Sequence, residues 1–63
     1  MKTQVTLVLE KQTKNTFKFI ELDEHGRPIE NMYQGKIGQL YVKQFVFQGR
    51  RPNQIKVTIE TED

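Results

Sequence analysis

The chain has no cysteine and no tryptophan, a lone histidine, two prolines, and no apolar run long enough to span a bilayer. Each shortage closes a class of explanation. Without cysteine there is no disulfide framework and no thiolate metal site. His25 by itself cannot assemble a transition-metal centre, which takes several ligands. The opening residues Met1-Lys2-Thr3-Gln4 run straight into an alternating pattern, with no charged stretch followed by a long apolar one. No signal peptide and no membrane association are expected, and a cytoplasmic location is the expectation.

What is present is a short chain of 63 residues, enough for one domain over 1–63. A domain of this size buries only roughly 60% of the surface its unfolded chain exposes. Such scaffolds are commonly reinforced by disulfides, a metal or a partner subunit. With the first two removed, self-association as a homodimer is the expected reinforcement. Charge is unevenly spread. Residues 1–30 hold five basic and five acidic side chains, residues 31–59 hold five basic and no acidic ones, and the last three acids are Glu60, Glu62 and Asp63. A fold that keeps these regions apart would carry a basic surface made of Lys36, Lys43, Arg50, Arg51 and Lys56.

Apolar residues recur with a period of two, the signature of strands. Val5, Leu7 and Leu9 alternate with Thr6, Val8 and Glu10 over 4–10. After the polar loop 11–15, Phe17 and Phe19 share one face of a second run, 16–22, with Thr16, Lys18, Ile20 and Leu22 on the other. Together these predict a β-hairpin. Asp23 to Pro28 reads as a loop, and 29–36 as an irregular connection with one short helical turn at Glu30–Tyr33. A third strand is expected from Ile37 to Val42 or Lys43, with Leu40 and Val42 on one face. Gln44–Gln48 either prolongs it or forms a short helical turn packing Phe45 on the core. Gly49–Asn53 is a turn, and Ile55–Thr61 is the clearest strand, with Ile55, Val57 and Ile59 inward. The predicted core is Val5, Leu7, Leu9, Phe17, Phe19, Leu40, Val42, Phe45, Ile55, Val57 and Ile59. The expected fold is all-β: a small antiparallel sheet of about four strands, curled into a partial barrel or paired as a dimeric sandwich.

Candidate chemistry is sparse. His25 beside Asp23 and Glu24 has the composition of a general base or weak cation site, but no nucleophile accompanies it. Asp23, Glu24 and Glu30 lack the spacing of a calcium loop and read as a solvated turn. Gly35-Lys36-Ile37-Gly38 has the Gly-x-x-Gly spacing of the KH-domain phosphate clamp, although it leads into a strand rather than joining helices. Arg50 and Arg51 suit a phosphate or carboxylate contact. Tyr33, Tyr41, Phe45 and Phe47 lie among the acid-free basic residues, the combination that single-stranded nucleic acid uses, with cations on phosphates and rings on bases. Rings of this kind equally serve a core or a dimer interface. No acid–base pair or metal set is legible, so neither an enzyme nor a cofactor is expected.

Lys36-Ile37-Gly38-Gln39-Leu40-Tyr41-Val42-Lys43, followed by Gly49, Pro52 and Ile55-Lys56-Val57-Thr58-Ile59-Glu60, resembles a recurring pattern in small uncharacterised bacterial and phage β-proteins, and Asn15-Thr16-Phe17-Lys18-Phe19 is similar to their preceding hairpin. The resemblance implies a compact β-fold and transfers no activity. A fainter likeness is to the sheet of the positive-cofactor transcriptional coactivators, which dimerise and bind single-stranded DNA. Those domains add a long C-terminal helix where this chain has a strand and an acidic tail. The functional expectation is a small binding or assembly module, acting by protein interaction or self-association. The alternative is a single-stranded nucleic-acid-binding module using the basic segment 31–59.

Overall fold

The alternating runs of the sequence become four antiparallel strands in the computed structural model, which describes residues 1–31 and 34–62. They are β1 (Lys2–Gln12), β2 (Thr16–Glu21), β3 (Gln39–Lys43) and β4 (Gln54–Glu60). The sheet order is β3-β2-β1-β4, the strand order of a Greek key. The β1–β2 hairpin is therefore central, and β3 and β4 are opposite edges rather than neighbours. Residues 44–53 must cross from one edge to the other. Arg50 and Arg51 accordingly lie in a crossover, not at a hairpin tip.

The pleat puts Val5, Leu7 and Leu9 of β1, Phe17 and Phe19 of β2, Leu40 and Val42 of β3, and Ile55, Val57 and Ile59 of β4 on the inner face. The sheet curls around them into a half-barrel. Curvature is helped by a bulge in β1 between Leu9 and Lys11, where one extra residue enters the ladder. That residue, Glu10, reaches Lys18 at 3.0 Å. Its carboxylate hydrogen-bonds the Lys18 ammonium and holds it above its ordinary pKa.

Closure is incomplete. Val5, Leu7, Phe17, Phe19 and Ile29 are buried, and only Leu7 and Phe19 are fully so. Leu9, Leu40, Val42, Ile55, Val57 and Ile59 remain half-exposed. The molecule is 16 Å through its thinnest direction, which leaves little depth for a second layer over the sheet.

Two features of the core depart from the sequence reading. Gln44–Phe47 is a 3-10 turn, but Phe45 is 79% exposed and Phe47 takes the inward place. Phe47 stacks edge-on against Phe17 at 5.6 Å and lies tilted against Phe19 at 5.9 Å. The chain enters the turn from an outward-facing residue, Lys43. A tight turn of three residues per revolution does not continue the alternation of a strand, so the register carried in from β3 does not predict which ring turns inward. The second departure is Ile29, buried although its segment shows no period.

Strand bounds also shift. β2 stops at Glu21, and Leu22 makes an isolated bridge with Pro28. β3 begins at Gln39 because Gly38 has φ of 86°, a conformation that takes Ile37 out of the strand and lets it pack on the core. Of the turn expected at Glu30–Tyr33, Met32 and Tyr33 lie outside the described residues. Gln34 N–H donates to the Asn31 carbonyl at 2.9 Å. No described helix is long and apolar enough to cross a membrane.

Candidate functional site: a basic end

Strand direction sorts the charges along the barrel axis. β1 descends to the hairpin loop Thr13–Asn15, β2 climbs away from it, β3 descends to Lys43, and β4 climbs from Gln54. The hairpin loop and the crossover 44–53 therefore meet at one end. They are stitched together there. Gln44 donates its backbone N–H to the Asn15 carbonyl (2.8 Å) and its side-chain amide to the Thr13 carbonyl (2.6 Å). Arg51 Nε donates to Gln12 Oε1 at 3.3 Å, and Leu9 N–H to the Asn53 carbonyl at 2.9 Å.

This end carries Lys11, Lys14, Lys43, Arg50 and Arg51, all exposed. The acid nearest to them in the chain, Glu10, is already paired with Lys18. None of the five has a carboxylate within ion-pair distance among the described residues. The opposite end collects Glu21, Asp23, Glu24, Glu30, Glu60 and Glu62 against Lys2, Arg27 and Lys36. The chain is polarised end to end, although its formal net charge is only +2.

The five residues expected from the sequence are thus divided. Lys43, Arg50 and Arg51 share the basic end. Lys36 lies at the far end, near Met1 and Ile59. Lys56 sits midway along β4, opposite Thr6, on the convex face. Lys11 and Lys14 were missed because a tally by segment places them in the neutral first half, whereas the hairpin folds their loop onto the crossover. The signal was available in the hairpin pattern itself. Among the aromatic residues, Phe47 is committed to the core, Tyr41 is 62% exposed on the convex side of β3, and Phe45 projects from the turn between Lys43 and Arg50. Tyr33 lies outside the described residues.

The Gly-x-x-Gly loop turns out to hold an anion, but one the chain supplies. Glu21 continues the inward alternation of Phe17 and Phe19 and is buried at 6% exposure. Its Oε1 accepts the N–H groups of Ile37 (2.7 Å) and Gly38 (3.0 Å), and its Oε2 accepts that of Lys36 (3.0 Å). Burial pushes the Glu21 carboxyl pKa upward and is the largest single influence. The three backbone donors and the Lys36 charge together outweigh it and leave the group below the usual carboxylate value. These N–H groups are the ones a phosphate clamp would use, and they are already satisfied. The motif is a structural lock here. A Cβ at Gly35 would come within 2.5 Å of Glu21 Oε1 and 2.9 Å of Ile29 Cδ1, so any side chain there must displace the ends of both, including the carboxylate that locks the loop.

In the acidic loop, Asp23 Oδ1 accepts the N–H groups of His25 (2.8 Å) and Arg27 (3.0 Å), and these bonds hold its carboxyl below the ordinary value. His25 lies 3.8 Å from Glu24 and is exposed with it. No described cluster of His, Asp or Glu has the arrangement of a metal site.

No family model, curated protein or solved structure matches the chain.

Proposed function

We propose that the protein is a small binding module, and that the ligand its surface suits best is single-stranded nucleic acid taken at the basic end. One observation carries this reading: five exposed cations, with no acidic partner among the described residues, share one end of the sheet with an exposed phenylalanine, Phe45. Lys11, Lys14, Lys43, Arg50 and Arg51 supply charge for successive phosphates. Phe45 supplies a free aromatic face, and stacking on a ring of that kind contributes about 1–3 kcal/mol per base. A large exposed ring costs solubility and does nothing for this core, which uses Phe47 instead. A single strand fits better than a duplex, because stacking requires unpaired bases and no described element has the length of a groove-reading helix.

The test is fluorescence anisotropy with a labelled oligothymidine of about 15 nucleotides, a length in the range one small β-domain covers. Binding should weaken with salt with a log–log slope of about −3.5, the value for five phosphate contacts on a single strand. Replacing Arg50 and Arg51 together by alanine should lower affinity about tenfold and flatten the slope by about 1.4. Phe45→Ala should weaken binding about tenfold and leave the slope unchanged. Absence of binding at low salt removes the reading, as does a Phe45→Ala variant that binds like the parent. Self-association, the other functional expectation, rests on a separate feature of the sheet.

A further inference from the structure

The outer edge of β4 is open among the described residues, and its pattern of charge is complementary to itself. Thr61 N–H donates to the Met1 carbonyl and Leu9 N–H to the Asn53 carbonyl. Between these two bonds β4 pairs with β1 in unbroken register. Hydrogen-bonded pairs in an antiparallel ladder alternate with non-bonded ones. The N–H and C=O groups of Ile55, Val57 and Ile59 therefore face β1, and those of Gln54, Lys56, Thr58 and Glu60 face outward with no strand beyond them. β4 is the longer of the two edges, with seven residues against five in β3. Its inward side chains, Ile55, Val57 and Ile59, are all half-exposed.

We propose that a second copy of this chain occupies this edge, β4 against β4 in antiparallel register about a two-fold axis at Thr58. The alternatives are separated by charge and by the length of the strand: an axis at Ile59 would also set Lys56 opposite an acid, Glu62, but Glu62 lies beyond the end of β4. An axis at Lys56 sets lysine against lysine, and an axis at Glu60 sets glutamate against glutamate. An axis at Val57 pairs Lys56 with Thr58 and brings no opposite charges together. An axis at Thr58 places Lys56 opposite Glu60 of the second copy, and Glu60 opposite its Lys56. On the concave side the same register sets Val57 against Ile59 twice. Cross-strand pairs of both kinds are favourable, and like charges directly opposed are not. The three pairs 56–60, 58–58 and 60–56 are hydrogen-bonded pairs in this register, which gives about six new backbone bonds.

The whole molecule agrees with the edge. Antiparallel pairing lays the acidic end of each copy beside the basic end of the other, so that the end-to-end polarity of the single chain is cancelled in the dimer. It also removes the more hazardous of two exposed strand edges. The arrangement closes on itself, whereas β4 pairing with β3 of another copy would leave edges free and propagate.

The experiment is sedimentation equilibrium of the full chain over a wide concentration range at low salt, with four proteins. The parent should dimerise. Lys56→Glu and Glu60→Lys, each alone, should weaken dimerisation about tenfold or more, because each opposes like charges twice across the axis. The double variant Lys56→Glu/Glu60→Lys should restore it, and an equimolar mixture of the two single variants should form a heterodimer. Both side chains are exposed on the convex face, so circular dichroism of each variant should match the parent, which separates loss of pairing from loss of fold. A parent that stays monomeric at every concentration overturns the proposal. So does a dimer whose affinity ignores both reversals, which would place the contact at another surface.

Discussion

Glu21 is the residue on which the far end of the barrel depends. Three backbone N–H groups from residues 36–38 converge on a carboxylate that the sheet has buried. Hydrogen bonds to a charged acceptor contribute about 1.5–3 kcal/mol, and a buried donor left without one costs a comparable amount. Glu21→Gln should therefore destabilise the fold by about 2–3 kcal/mol in urea denaturation at neutral pH. The sign of the pH dependence follows from the depressed pKa values of Glu21 and Asp23. The native state holds these protons less tightly than the unfolded chain. Their contribution is complete above the unfolded-state value and is lost as pH falls through the native one. The thermal midpoint should drop steadily as pH is lowered from about 6 to about 3, and the drop should be shallower in Glu21→Gln. Gly35 is the partner of this lock. Gly35→Ala forces a methyl group against Glu21 and Ile29 and should cost about 1–3 kcal/mol in the same denaturation assay.

At the scale of the element, the crossover that joins the two edges is the part that most affects both stability and binding. Its 3-10 turn sends Phe47 down onto Phe17 and Phe19 and leaves Phe45 in solvent, two positions apart on one short turn. The two rings should consequently separate by experiment. Phe47→Ala removes a ring from a three-ring cluster in a small core. It should lower stability by about 2–4 kcal/mol, less than a fully buried phenylalanine because Phe47 is only partly covered. Phe45→Ala should change stability by less than about 0.5 kcal/mol while weakening oligonucleotide binding. Thermal melts of the two variants, run beside the anisotropy titration, give this comparison directly. Equal destabilisation by the two would mean that the turn presents its rings differently from the structure described above.

For the molecule as a whole, the controlling fact is that a half-barrel of 63 residues leaves much of its concave face half-covered. A chain of this size has little surplus stability, so association should be visible as stability. If β4 pairs with β4, the thermal midpoint of the parent should rise with protein concentration, since dimerisation draws on the folded state alone. The midpoint of Lys56→Glu should be nearly independent of concentration. Charge polarity links the two proposals at this scale. Salt screens both the phosphate contacts of the basic end and the ion pairs across the β4 edge. The oligonucleotide titration is therefore best made at protein concentrations below those at which the parent self-associates.

The sequence by itself determined that the fold is all-β, how many strands it has and which side chains point inward along each of them. Alternation with a period of two is a local property of the chain, and the pleat converts it directly into faces. Glu21 was not among the expected core residues, although it keeps the inward phase of Phe17 and Phe19 along β2. Only the tertiary structure decided that β3 and β4 are opposite edges, that Lys11 and Lys14 join Arg50 and Arg51 while Lys36 does not, that Phe47 rather than Phe45 is inward, and that Ile29 is buried. These are properties of chain segments far apart in sequence, brought together by strand order and by a turn without a strand's period, and no local pattern encodes where such segments meet.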